Sequence, residues 1–183
     1  MKSLEGEAPK KGLPIIGPMR GRLLDQIVED HRPSSILEVG TLVGYSAIRM
    51  GRHLKHGQKI TCIEVSDEMV GVARSNIAKA GLSDIIEVIH GDARLLLPTL
   101  KGPFDLVFLD AIKTDYLGYL KSVESRLRSG SVVVADNVKS HATELTEYLE
   151  YVRNSGIYRS NYREAPSNYG TDEGDAIEVS VKL

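Results

Sequence analysis

The sequence predicts an α/β domain in which a mostly parallel β-sheet carries helices on both faces. Short apolar runs alternate along the chain with longer stretches whose apolar residues recur at helical spacing. The apolar runs are almost continuous, which is typical of strands buried on both faces of a parallel sheet. Together these observations indicate a doubly wound sheet, with helices connecting its successive strands.

Five apolar runs are predicted to be strands because they are rich in Val and Ile and are bounded by glycine, proline or polar residues. They span 35–40, 59–65, 85–91, 104–110 and 131–136. We expect the first and fourth strands to be neighbours, with the fifth beside the fourth. A last run, 175–183, is also strand-like, and we expect it to close the sheet as an antiparallel edge strand.

Amphipathic stretches between these runs are predicted to be helices, because their apolar residues fall on one face. They span 18–31, 67–81 and 143–156. Gly81 and Gly156 end the last two of them, as glycine often does at a helix C-terminus. Residues 1–13 are predicted to be a polar lead-in, and residues 161–174, which have loop composition, to be a mobile loop.

The composition is that of one soluble globular domain spanning residues 1–183. Hydrophobic residues make up 42% and charged residues 26%, and no apolar stretch approaches the ~20 residues of a membrane span. The first residues lack the apolar core of a signal peptide. The single cysteine, Cys62, excludes a disulfide framework, so we expect a core position and a cytoplasmic location. A net charge of −2 without a basic block does not point to nucleic acid.

A glycine-containing turn follows the first strand, where ligands of doubly wound sheets bind. Gly40 and Gly44 would let this turn pass close to a ligand. Their spacing matches neither the dinucleotide fingerprint nor the P-loop. Alone, such glycines more often indicate only a turn.

Acidic residues also end the second and third strands. Glu64 is placed to accept hydrogen bonds from both hydroxyls of a ribose, although a solvated acid at a strand end is the alternative. Asp92 and the backbone of Ala93 are placed to meet an adenine edge. Asp92 could equally be the N-cap of the following helix.

The fourth strand ends on Asp110, and the fifth ends on Asp136 followed by Asn137. Because neighbouring parallel strands end at the same edge, we expect these hard oxygen donors to converge, which suits Mg²⁺ or another hard divalent cation. No cysteine or histidine accompanies them, which argues against zinc. The alternative is capping or turn duty. The five histidines lack ligand spacing and are expected at surface or core positions.

Five motifs in order give a specific resemblance. They are LEVGTLVGYSAIRM, IEVSDEM, HGDA, FDLVFLDAIKTDY and GSVVVADNV. Together they resemble the cation-dependent O-methyltransferases that use S-adenosylmethionine, the family that includes the catechol O-methyltransferases. The resemblance covers residues 14–140 well and the last 40 residues only loosely. It implies a Rossmann-like methyltransferase sheet.

The resemblance also implies roles for individual residues. Those binding S-adenosylmethionine would be Glu38, Gly40, Gly44, Ser46, Glu64, Asp92, Ala93 and Asp110. Glu38 and Ser46 would lie near its methionine end, and residues 12–17 would lie over the cofactor and substrate. Lys113 matches the family's catalytic base, whose ammonium a nearby cation would destabilise. The alternative for Lys113 is a solvated lysine beyond a strand.

The implied activity is methyl transfer to one hydroxyl of a small catechol-like diol. The alternative is methylation of 5-hydroxyuridine in tRNA, which the same family includes, and a non-enzymatic cofactor-binding module is a third hypothesis. The chain has no tryptophan, and Ile112 stands where the mammalian catechol enzymes place one. Glu164 is only an insecure match to the family's late glutamate. We therefore expect an open acceptor pocket, or one completed in a homodimer that buries the final strand. No membrane partner is expected.

Overall fold

A seven-stranded sheet organises the protein, which a computed structural model describes over residues 2–168 and 174–183. The strands are β1 Ser35–Val39, β2 Lys59–Glu64, β3 Ile86–His90, β4 Phe104–Leu109, β5 Leu127–Asp136, β6 Tyr158–Ala165 and β7 Asp175–Lys182. Their order is β3-β2-β1-β4-β5-β7-β6. Strands β1 to β5 are parallel to one another, and β7 pairs antiparallel with both β5 and β6. The predicted doubly wound fold and the adjacency of β1, β4 and β5 are confirmed.

Seven α-helices accompany the described strands. They are α1 Lys2–Glu7, α2 Gly17–His31, α3 Tyr45–Gly51, α4 Asp67–Lys79, α5 Ala93–Leu96, α6 Tyr116–Val123 and α7 Thr146–Asn154. Single turns of 3₁₀-helix lie at Pro9–Lys11, Leu97–Thr99, Lys113–Asp115 and Glu124–Arg126. The predicted helix 18–31 is α2, 67–81 contains α4 and 143–156 contains α7. Each predicted boundary is within three residues of the one observed.

The sheet has a hydrophobic core on each face, as its apolar strands predict. Ile36 and Leu37 are adjacent on β1 and fully buried, but they face opposite cores. Helices α2, α3 and α4 pack on the Ile36 face, and α6 and α7 pack on the Leu37 face. Cys62 is buried in the first core, which confirms its predicted position. None of the helices in the described ranges is long and apolar enough to cross a membrane.

The chain segment before β7 departs from the prediction. Residues 161–165 were expected in a loop, but they form the second half of β6, which pairs with β7 from Tyr158–Lys182 to Ala165–Asp175. The sheet ends in an antiparallel edge strand, as predicted, but this strand is β6, so the prediction that the last run would close the sheet is wrong. Residues 169–173, within the predicted mobile loop, lie outside the described residues. The expected homodimer depended on an exposed final strand. Because β7 is paired on both sides, it no longer supports that expectation.

The lead-in at 1–13 also contains more structure than its polar composition predicts. It includes α1 and the turn Pro9–Lys11, and Ala8 is buried. The Tyr45 hydroxyl donates to Glu5 Oε1 over 2.7 Å, which joins α1 to the start of α3. The N-terminal segment is therefore packed beside the turn that follows β1.

Candidate active site

A cavity of about 650 Å³ lies at the carboxyl ends of the parallel strands. This volume is in the usual range for a small-molecule site. The predicted site residues that line it are Gly40, Ser46, Glu64, Asp92, Ala93, Asp110, Lys113 and Asn137. Glu38, Gly44 and Asp136 are buried behind its wall. Residues 13–16, in the segment expected to lie over the site, also line the cavity.

The turn after β1 is held in a left-handed backbone by its glycines. Gly40 has φ 88° and Gly44 has φ 82°. A Cβ on Gly40 would lie 2.2 Å from the carbonyl oxygen of Asp110, at the end of β4. The close approach of two strand ends therefore requires glycine at position 40. Gly44 is the N-cap of α3.

Glu38 stabilises this turn from beneath. Its two carboxylate oxygens accept hydrogen bonds from the hydroxyls of Thr41 and Ser46, each over 2.5 Å. The side chain is fully buried, and this burial raises the pKa of Glu38 to about 7 although both hydrogen bonds act to lower it. Glu38 thus supports the wall of the cavity from behind, and Ser46, which donates to it, lines the cavity.

Glu64 closes the opposite side of the turn. Its Oε2 accepts from the backbone N–H of Leu42 over 2.8 Å, and its Oε1 accepts from the N–H of Ser66 over 2.9 Å. Only 8% of the residue is exposed, so the alternative of a solvated acid is wrong. Because a carboxylate oxygen can accept more than one hydrogen bond, Glu64 retains acceptor capacity towards the cavity.

Asp92 both caps a helix and lines the cavity, so its two interpretations are compatible. It accepts from the N–H of Arg94 over 2.9 Å, at the start of α5. The guanidinium of Arg94 also binds its carboxylate, with Nη2 2.6 Å from Oδ2. These hydrogen bonds from Arg94 lower the pKa of Asp92. Ala93 lies beside it in the cavity wall.

Lys113 is held at the end of β4 by two neighbours. Its Nζ donates to Asp110 Oδ1 over 3.0 Å and to the hydroxyl of Tyr116 over 2.8 Å. Only 12% of its side chain is exposed, which excludes the solvated lysine of the alternative interpretation. The amine therefore has a defined position in the cavity wall.

Asp136 is the most deeply buried of the predicted metal ligands. Burial raises its pKa, and the nearby Asp110 carboxylate raises it further. Arg20 Nε lies 3.0 Å from Asp136 Oδ1. The contact lacks hydrogen-bond geometry, so this oxygen has no hydrogen-bond partner among the described residues.

Asn137 continues from β5 in a left-handed conformation, with φ 64°. Its Nδ2 donates to Asp175 Oδ2 over 2.8 Å, at the start of β7. Arg20 Nη1 lies 3.1 Å from the same oxygen. Sequence reasoning missed Arg20 and Asp175. The signal for Arg20 was its position, one turn before Leu24 on the apolar stripe of α2.

The donor set fits a hard divalent cation. Asp110 and Asn137 line the cavity, and Asp136 adds a buried carboxylate with an unmet acceptor oxygen. Carboxylate and amide oxygens, completed by water, are the ligands that Mg²⁺ prefers. Within residues 2–168 and 174–183, no group of three or more His, Cys, Asp and Glu side chains could hold a metal ion. The predicted ligands are two carboxylates, Asp110 and Asp136, and one amide, Asn137. They are therefore not a group of three such side chains.

The remaining walls are more apolar. Ile112 is 56% exposed and lies at the cavity, as do Leu13, Pro14 and Ile15. His141 also lines the cavity, whereas the sequence predicted only a surface or core position for it. Glu164 is not among the lining residues in the described part of the chain. It accepts from the Tyr162 hydroxyl over 3.0 Å.

Comparisons with known proteins identify O-methyltransferases among the relatives of this chain. A family model described as O-methyltransferase matches residues 2–155. Catechol O-methyltransferase B of Danio rerio is 38% identical over 175 residues, which is 92% of this chain and 65% of that protein. The catechol O-methyltransferase of Mycobacterium tuberculosis is 36% identical over 124 residues, or 67% of this chain and 56% of that protein. The chain thus spans less than two thirds of either relative.

Solved structures have the same fold over the whole chain. An O-methyltransferase from Bacillus cereus, in complex with SAH, has a TM-score of 0.88 at 26% identity and covers 100% of this chain and 90% of its own. The O-methyltransferase TomG from Streptomyces achromogenes, in complex with SAM, has a TM-score of 0.88 at 25% identity and covers 100% and 88%. Both similarities extend through β6 and β7, where the sequence motifs are weakest.

Proposed function

The chain belongs to the O-methyltransferase family, and from that premise we propose that it transfers the methyl group of S-adenosylmethionine to a hydroxyl of a small catechol-like vicinal diol. The observation that carries the proposal is that Lys113, Asp110 and Glu64 line the same cavity. An acid proposed to bind the ribose and a positioned amine then face one cavity. A module that only bound the cofactor would have no use for the amine.

The cofactor would occupy the side of the cavity formed by β1, β2 and β3. Glu64 has acceptor capacity for ribose hydroxyls, and Ser46 lines the place expected for the methionine end. Asp92 and Ala93 lie where an adenine would bind. In support of this assignment, the relative from Streptomyces achromogenes was solved with SAM and the one from Bacillus cereus with SAH.

The acceptor would occupy the other side, between two apolar surfaces. Leu13, Pro14 and Ile15 come from the segment before α2, and Ile112 comes from the segment after β4. Apolar walls suit an aromatic ring, while the polar atoms of Lys113 and Asn137 suit its hydroxyls. The catechol O-methyltransferases among the relatives support a vicinal diol.

Lys113, in its neutral form, would accept the proton of the attacking hydroxyl. Its hydrogen bonds to Asp110 and Tyr116 hold Nζ in place and so reduce the entropy cost of the proton transfer. The acceptor oxygen then bonds to the methyl carbon as the carbon–sulfur bond breaks, and sulfur keeps the electron pair.

Asp110, Asp136 and Asn137 would hold a divalent cation, proposed to be Mg²⁺, beside the acceptor. Their oxygens come from the ends of β4 and β5, which lie next to each other in the sheet. When bound, the cation supplies positive charge that favours ionisation of a neighbouring hydroxyl.

The test is methyl transfer by the purified chain with catechol, S-adenosylmethionine and Mg²⁺, followed by chromatography of the products. We expect a monomethylated diol, and we expect excess chelator to abolish turnover while calorimetry still detects S-adenosylmethionine binding. Turnover that persists in excess chelator would exclude the cation. A tRNA carrying 5-hydroxyuridine serves as the competing acceptor, and its methylation without reaction of catechol would favour the alternative activity.

A further inference from the structure

Asp175 is a buried carboxylate at which several parts of the site meet, although it does not line the cavity. Only 6% of the residue is exposed. Its Oδ2 accepts from Asn137 Nδ2 over 2.8 Å and from the Ser140 hydroxyl over 2.6 Å. The same oxygen lies 3.1 Å from Arg20 Nη1. One oxygen therefore contacts a proposed cation ligand and the largely buried guanidinium of Arg20.

The other oxygen of Asp175 holds the loop that follows β5. Oδ1 accepts from the backbone N–H groups of Ser140 over 3.1 Å, Lys139 over 3.2 Å and Ala176 over 2.8 Å. Asp175 thus links the amide of Asn137 to the loop at 139–140 and to the start of β7.

Arg20 is shared between two carboxylates. Its Nη1 faces Asp175, while its Nε lies 3.0 Å from Asp136 Oδ1 without forming a hydrogen bond. An arginine released from one carboxylate can form a bidentate pair with the other. Such a pair would occupy the oxygen of Asp136 that a cation needs. Asp175 thus restrains a positive charge that competes for the site.

We propose that Asp175 is a positioning residue that sets the affinity of the cation site in two ways. It binds the amide nitrogen of Asn137, which leaves the amide oxygen for the cation, and it keeps Arg20 from pairing fully with Asp136. This inference rests on the proposed cation site. Asp175 itself touches neither the cation nor the reacting atoms.

A purely structural role for Asp175 makes a different prediction. If it only holds the loop at 137–140, its substitution lowers stability, and removal of Arg20 as well adds further damage. If it restrains Arg20, removal of Arg20 relieves part of the loss in cation affinity. The change in cation affinity when Arg20 is replaced therefore distinguishes restraint of Arg20 from a purely structural role.

The experiment measures Mn²⁺ binding to the full chain by electron paramagnetic resonance, without any methyl acceptor. We expect Asp175→Asn to weaken binding by about tenfold or more, as is usual for a residue that orients a metal ligand. Asp105→Asn is the matched control, because Asp105, like Asp175, accepts backbone N–H groups, in its case those of Ser34 and Ser35, and it lies at the opposite end of the sheet. We expect this control to bind Mn²⁺ like the wild type.

Two further variants make the proposal refutable even if Asp175→Asn is unstable. Arg20→Met alone should tighten Mn²⁺ binding, because Arg20 Nε lies 3.0 Å from Asp136 Oδ1, and the gain should be larger in the Asp175→Asn background, where Arg20 is no longer restrained. Unchanged or weaker binding in Arg20→Met would show that Arg20 does not compete for Asp136 and would overturn the proposal, and an equal or smaller gain in the Asp175→Asn background would overturn the restraint by Asp175. Wild-type affinity in a folded Asp175→Asn variant would overturn the inference alone. Absence of Mn²⁺ binding by the wild type would overturn the proposed cation site with it.

Discussion

Gly40→Ala tests whether the close approach of β1 and β4 builds the site. Gly40 has φ 88°, and an added Cβ would lie 2.2 Å from the carbonyl oxygen of Asp110 and 2.8 Å from its carbonyl carbon. Both are backbone atoms. The N–H of Asp110 donates to the carbonyl oxygen of Val39 over 2.9 Å, so this end of β4 is fixed against β1. The clash cannot be relieved by rotation of a side chain.

The expected loss of stability has two parts. A left-handed backbone costs a residue with a Cβ about 1–2 kcal/mol. Overpacking against fixed atoms typically adds about 1–3 kcal/mol. We therefore expect Gly40→Ala to lower the free energy of unfolding by roughly 2–5 kcal/mol, a large share of the roughly 5–15 kcal/mol typical of a domain. Displacement of Asp110 should also weaken the proposed cation site.

Gly57→Ala is the matched control for this prediction. Gly57 has φ 90°, but an added Cβ there meets no atom within 4 Å. Urea denaturation of both variants should show a loss of only about 1–2 kcal/mol for Gly57→Ala, since it carries the backbone cost alone. Equal losses in the two variants would refute the argument, because they would show that the steric contact with Asp110 does not exist.

Three other predictions concern the proposed chemistry. Lys113→Ala should lower turnover by about 10²–10⁴, the usual contribution of a general base, and calorimetry should show unchanged S-adenosylmethionine binding; normal turnover at neutral pH would exclude this base. Glu64→Ala should weaken S-adenosylmethionine binding by roughly 1–3 kcal/mol, and calorimetry that shows an unaltered affinity would place the ribose elsewhere. Burial raises the pKa of Glu38 from 4.5 to about 7, so the folded state keeps a proton that the unfolded state releases, and stability should fall as pH rises through this range. Between these two pH values, urea denaturation should show that Glu38→Gln loses about 3 kcal/mol less of its free energy of unfolding than the wild type does. Parallel plots of the free energy of unfolding against pH for the two proteins would contradict this.

The strand ends of the parallel sheet were predictable because their pattern is local. Each apolar run ends at a polar residue, and parallel strands bring these ends to one edge. Glu64, Asp110 and Asn137 therefore line the cavity as expected. The resemblance to O-methyltransferases, inferred from motifs within residues 14–140, is confirmed by the family model and by relatives.

β6 could not be predicted in the same way. Its sequence, YRSNYREA, places polar residues on both faces, because it is the edge strand and only one of its sides is paired. Charged residues are common on edge strands, where they oppose pairing with other chains. Its strand conformation comes from pairing with β7, which follows later in the chain.

By itself, the sequence determined that β1, β4 and β5 are neighbours in the sheet, the family, and the residue types at the carboxyl edge of the sheet. These follow from hydrophobic periodicity and short motifs, in which neighbouring residues carry the information. Only the tertiary structure decided that Gly40 is required by Asp110, and that Arg20 and Asp175 surround the proposed cation ligands. These residues are far apart in the chain. Their charges and volumes act on one another only after the sheet has brought α2, β5 and β7 together.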